Sequence, residues 1–117
     1  MESILTSIKL LLLMPEDYDA YDPQVIMHIN SVFTVLKQLG VGPKKGFRIE
    51  DKTAVWSDYI EETEDLTYDS IKSYIAAKVR LLFDPPASSS HIQVLKETIN
   101  EFEFRLKLDA EFTQSSE

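Results

Sequence analysis

Cysteine is absent from the 117 residues, which removes disulfides, thiolate catalysis and thiolate zinc sites together. Histidine is almost absent. His28 and His91 stand in different segments, and neither has a second histidine within ligand reach in sequence, so His28 reads as a surface or half-buried side chain. Positive charge is scarce: 12 Lys and Arg face 20 Asp and Glu, for a net charge of -8. That balance excludes a general nucleic-acid binder, which presents a basic face. It suits a protein past which DNA moves without adhering, because like charges repel. Long apolar runs are missing as well. Leu10 to Met14 is far too short to span a bilayer. Lys9 is the only cation before it, and Pro15-Glu16-Asp17 follows in place of a small-residue cleavage site, so it does not read as a signal peptide.

What is present is helical periodicity. The central stretch is Ser70 to Pro86, where Ile71, Tyr74, Ile75, Val79 and Leu82 form one apolar stripe. Asp84-Pro85-Pro86 stops it, since proline has no N–H to donate and pushes its predecessor out of the α region. Met1 to Met14 predicts a first helix, capped by Ser3 and burying Ile4, Leu5, Ile8, Leu11 and Leu12. Leu10 and Leu13 widen its apolar surface almost all round, for burial on two sides or for a partner. Pro23 to Leu39 predicts a second, with Asp22 as N-cap, Pro23 at the first helical position and Gly40 as a left-handed stop. Its stripe is Val25, Ile26, Ile29, Phe33, Leu36 and Leu39. The last helix starts at a capping serine near Ser89 and runs to about Leu108 on Ile92, Leu95, Ile99, Phe102 and Leu106. These stripes predict an all-α domain: a small bundle of four main helices with a long irregular connection between the second and third. Residues 1–111 form a single helical domain, and 112–117, where periodicity is lost, form a flexible tail.

Two loops resemble ligand loops and fail the test. From Asp17, a calcium loop would need an oxygen ligand at Tyr21, glycine at Asp22 and glutamate at His28. In GVGPKKGFR, Gly40 and Gly42 are one residue apart and Phe47 follows Gly46, so no phosphate-binding loop is spelled. The segment is instead a turn with a basic tip at Lys44, Lys45 and Arg48. Beyond it, Phe47 and Ile49 alternate with Arg48 and Glu50 as a short extended piece. Val55, Trp56, Tyr59 and Ile60 suit a short helix plugged into the core. Glu61, Glu62, Glu64 and Asp65 read as a solvated acidic run. No base stands beside a nucleophile, no metal-spaced pair occurs, and nothing calls for a cofactor.

An ordered set of strings carries a resemblance. They are Ile29-Asn30-Ser31-Val32-Phe33, Gln38-Leu39-Gly40-Val41-Gly42-Pro43, Gly46-Phe47, Trp56, Lys72-Ser73-Tyr74-Ile75, the run from Lys78 to Pro86, and Glu103-Phe104-Arg105-Leu106. In this order and spacing the chain resembles the head–tail connector proteins of tailed bacteriophages and prophages. The resemblance implies a non-enzymatic adaptor, without cofactor or metal, that assembles with itself as a ring, commonly twelve-fold, beneath the portal protein. It would extend the DNA channel without binding DNA specifically, and offer head-closure or tail-completion proteins a docking surface in the neck of the virion, after assembly in the host cytoplasm. The interface candidates are Lys44, Lys45, Phe47 and Arg48, the run Glu61, Glu62, Glu64 and Asp65, and the end of the chain from Glu111 and Phe112. The basic tip of one copy is expected to pair with the acidic run of the next. The alternatives are a dimeric intracellular regulatory module of helices, an enzyme with a polar pocket, and another neck or tail-completion protein.

Overall fold

The structure is a computed structural model and describes residues 2–60 and 65–115. Five helices follow in order: α1 (Ile4–Leu11), α2 (Asp22–Gln38), the single-turn α3 (Trp56–Tyr59), α4 (Asp65–Phe83) and α5 (Ser89–Ser115). There is no strand among the described residues, only an isolated bridge between Ser3 and Val55. The expected all-α class is therefore the observed one, with α3 lying inside the long connection between α2 and α4.

Helix α1 begins as its sequence indicates, with the Ser3 hydroxyl accepting from the Thr6 N–H at 3.2 Å. It ends three residues earlier than expected. Leu13 takes a left-handed φ of 62°. The Leu13 N–H then bonds to the Leu10 carbonyl and the Met14 N–H to the Lys9 carbonyl, which is the usual glycine-type helix stop carried by a leucine. Leu10, Leu11 and Leu13 are consequently exposed, so the expected burial of Leu11 and the two-sided burial of α1 do not occur. Only Ile4, Leu5 and Ile8 reach the core, with Leu12 and Met14 packed at its edge.

The stop is tied to a buried lysine. Lys9 is 2% exposed, and its ammonium donates to the carbonyls of Glu16 at 3.0 Å and Tyr18 at 2.8 Å. Asp22 Oδ1 lies 2.9 Å from the same nitrogen, off the line of a good hydrogen bond, so this contact is charge pairing. It also corrects the expected cap of α2. Tyr21 occupies the cap position and Asp22 is the first helical residue, because its carboxylate is drawn back towards Lys9.

At the other end α2 stops as expected, with Gly40 at φ 90°. Its N–H bonds to the Lys37 carbonyl and that of Val41 to the Leu36 carbonyl. The buried face of α2 is Val25, Ile29, Val32, Phe33 and Leu36, with Ile26 and Leu39 only half-buried.

Helix α4 touches α1, α2 and α5. Ile71, Tyr74, Ile75 and Val79 are fully buried, whereas Leu82, in the last turn before the proline stop, is exposed. Against α4, α5 is held by Ile99 and Leu106, by a Tyr74 hydroxyl that donates to Glu103 at 2.7 Å, and by Lys78 at 3.4 Å from the same carboxylate. Ser88 caps α5 by accepting from the His91 N–H. The helix continues past the expected end near Leu108 to Ser115, so residues 112–115 are helical.

Replacing Lys9 with methionine keeps the bulk but leaves the Glu16 and Tyr18 carbonyls and the Asp22 carboxylate unpaired. The expected loss is about 2–4 kcal/mol in urea unfolding, with Lys107→Met, on the surface, as a neutral control.

Burial, then the hydrogen bond to Glu103 and its charge, raise the Tyr74 phenol above its ordinary range. A folded-state pKa raised above the unfolded one means stability is complete below about pH 10 and declines as pH rises beyond it. Thermal unfolding between pH 9 and 11.5 should show that decline in the natural chain and a shallower one in Tyr74→Phe.

Candidate assembly interface

The connection from Gly40 to Ile60 is ordered without a sheet. Asn30, in the middle of α2, donates from Nδ2 to the Ile49 carbonyl at 2.9 Å and accepts the Ile49 N–H on Oδ1 at 2.8 Å. One amide side chain thus serves both backbone groups of Ile49, as a paired strand would. Ile49 is buried and Phe47 half-buried while Arg48 and Glu50 are exposed, so the expected alternation is present without strand pairing. Phe47 packs edge-on against Phe33, with centroids 5.1 Å apart, and beside Tyr59 at 5.2 Å. Gly42, at φ 86°, passes so close over that ring that an added Cβ would lie 2.6 Å from it. The far end of the connection is pinned to α1. The Ile4 N–H bonds to the Ala54 carbonyl, and the buried Trp56 indole donates to Ser7 Oγ at 2.9 Å. Trp56 is therefore a core residue.

These restraints present the basic tip. Lys44, Lys45 and Arg48 are exposed and make no ion pair among the described residues. The Lys37 side chain lies along Gly46 and adds a further cation. Between this loop and α2 runs an open groove of about 740 Å³. Ile26, Met27 and Phe47 give it an apolar lining, Ser31 and Thr34 a polar one, and Lys45 and Arg48 its charge. Of the sequence candidates, Lys45, Phe47 and Arg48 are thus gathered at one site with α2. Lys44 stands beside it on the same loop. Beyond Pro23 and Ile26, which both sites share, lies an acidic groove of about 640 Å³. Its charged lining is Glu16, Asp17, Asp19, Asp22, Glu50 and Asp51, with Lys52 opposing them. There Asp51 accepts from the hydroxyl and then the amide of Thr53, which holds its carboxyl below the usual range.

The remaining candidates lie elsewhere. Glu61, Glu62 and Glu64 fall outside the described residues, and Asp65 opens α4. Glu111 and Phe112 are exposed near the end of α5, far from the basic tip in sequence. Sequence reasoning missed Asn30, whose partners are 19 residues away, and the α2 side of the groove, for which the exposed Met27 was the available signal.

No three His, Asp or Glu side chains gather at metal-binding distance among the described residues, and none of the described helices is long and apolar enough to cross a membrane. The described surface carries charged grooves and exposed apolar side chains on a small all-helical domain. A family model described as phage connector protein matches residues 4–113, and the chain belongs to that family of phage structural proteins. The ordered strings of the central helices and the Gly40–Phe47 turn all lie inside that match. No curated protein and no solved structure matches the chain.

Among the described residues the Tyr59 hydroxyl is buried without a hydrogen-bond partner, and burial raises its pKa. Tyr59→Phe should therefore be neutral or stabilising by up to about 1 kcal/mol in urea unfolding. Gly42→Ala should cost about 2–4 kcal/mol, from left-handed strain plus the collision with that ring.

Proposed function

We propose that this chain is the head–tail connector of a tailed phage or prophage, assembling as a ring beneath the portal protein. Twelve-fold symmetry is the arrangement that the resemblance implies. The ring extends the DNA channel from the capsid vertex and gives head-closure or tail-completion proteins their docking surface. The observation that carries this reading is the family match across residues 4–113. Its physical support is the charge. Each copy contributes a net -8, and a ring repeats that charge around its axis. DNA then meets repulsion rather than adhesion and passes without specific contact. The chain contributes shape and surface, and no reaction is assigned to it.

Antibody raised to this chain should label the neck of purified particles in electron micrographs. Particles without label, in a preparation whose proteins lack this chain by mass spectrometry, would remove it from the virion. A dimeric regulatory module would then replace the connector.

A further inference from the structure

Leu13 is unfavourable in two independent ways. Among the described residues it alone, glycines aside, takes a left-handed φ, a conformation that crowds Cβ and that glycine adopts freely. It is also 86% exposed, more than any other large apolar side chain described. A glycine would remove both costs and still make the helix stop, because the stop is held by the backbone bonds from Leu13 to Leu10 and from Met14 to Lys9. Strain kept where the monomer gains nothing from the side chain marks a side chain held for contact. Leu10 and Leu11, in the turn before it, are each 52% exposed, and the three leucines form an apolar knob.

The knob stands beside negative charge. Lys9 draws the Glu16 and Tyr18 carbonyls against the end of α1. Glu16, Asp17 and Asp19 therefore lie next to it, exposed and without an ion pair among the described residues. From Glu2 to Leu36 the only Lys or Arg is Lys9, which is buried.

The groove between α2 and the basic loop has the complementary character. Its apolar lining from Ile26, Met27 and Phe47 is accompanied by Lys45 and Arg48. The segment from Leu39 to Ile49 carries Lys44, Lys45 and Arg48 with no acid among them. We propose that the knob of one copy of the chain enters this groove on a second copy. Leu13, with Leu10 and Leu11, lies against Ile26, Met27 and Phe47, while Glu16 and Asp17 meet Lys45 and Arg48. The other clefts suit the knob less well. The groove around Glu50 and Asp51 has its own sign, which repels it. The cleft between α4 and α5 is smaller, at about 320 Å³, and its Arg105 is already paired with Glu101. In taking a second copy as the occupant, the inference rests on the ring reading.

Leu13→Gly separates a contact role from a folding role. In dilute solution, where copies are apart, its urea midpoint should equal or exceed that of the natural chain. Self-association, measured by sedimentation, should weaken at least about tenfold. A lowered midpoint overturns the proposal, and so does association that survives the change. Lys45→Glu with Arg48→Glu should weaken association similarly, and adding Glu16→Lys with Asp17→Lys should restore it. Circular dichroism checks that these exposed changes leave the fold intact. The absence of cysteine makes the contact directly readable. Ser31→Cys, in the groove, and Leu10→Cys, on the knob, are made in separate full-length chains, mixed and oxidised. The mixed dimer should form well above a Ser31→Cys with Asn100→Cys control. Association without that cross-link overturns the docking, as does a chain that stays monomeric. Particle labelling decides the neck position separately, so that reading and this one fail independently.

Discussion

Helix α4 is the common wall of the domain: α1, α2 and α5 all rest on it. The wall works because Ile71, Tyr74, Ile75 and Val79 repeat at helical spacing and lose all solvent exposure. Ala76 and Ala77, half-buried between them, keep its flank narrow. Apolar packing alone is non-directional and would allow α5 to slide. Glu103 removes that freedom by taking the Tyr74 hydroxyl and standing near the Lys78 ammonium, one turn further along α4. Lys9 fixes the other side in a similar way. Its short-range partners, Glu16, Tyr18 and Asp22, come from the loop and the start of α2, so one buried cation joins two helices and the turn between them.

With the wall set, the long connection after α2 becomes a rigid presenter. Loops of this length without secondary structure are uncommon in compact domains, and this one is restrained from several directions. The Asn30 amide holds Ile49, the Gly40 cap fixes where the chain leaves α2, and the Phe33–Phe47–Tyr59 cluster anchors the middle. Lys44, Lys45 and Arg48 therefore project from a fixed base. Surface charges contribute little to folding, but on a rigid base they can select the orientation of a partner.

The stripes of α2, α4 and α5 were legible because helical period and proline or glycine stops are local signals. Ile71, Tyr74, Ile75 and Val79 lie where spacing puts them. Leu11 and Leu82 share that spacing and are nevertheless exposed, since each sits in the last turn of its helix. The end of α1 was hidden because a leucine, not a glycine, adopts the left-handed conformation. Lys9 was hidden because a lysine in an apolar helix ordinarily reaches for water; only the backbone carbonyls that turn towards it make burial favourable. The basic tip was legible from composition. The groove behind it was not, because α2 and the loop are brought together by Asn30 across 19 residues. The end of α5 was misplaced for a related reason: loss of a single buried stripe marks the edge of the core, not the end of the helix.

That last distinction bears on how a small chain divides its apolar residues. Burial inside the monomer and burial between copies draw on the same side chains, and a residue committed to one is unavailable to the other. Here the division is spatial. Ile99 and Leu106 face α4 inside the fold, while Phe104 and Leu108, on the same helix, face outward. The charge is divided too. Among the described residues Lys9, Lys72, Lys78 and Arg105 are held in ion pairs, whereas Lys44, Lys45 and Arg48 make none and are concentrated in the Gly40–Arg48 turn. A net charge of -8 makes copies of the chain repel one another, as they repel any other polyanion. Association of such copies requires a local reversal of sign. The sign of the surface reverses at the basic tip, where Lys44, Lys45 and Arg48 stand exposed together on an otherwise acidic chain.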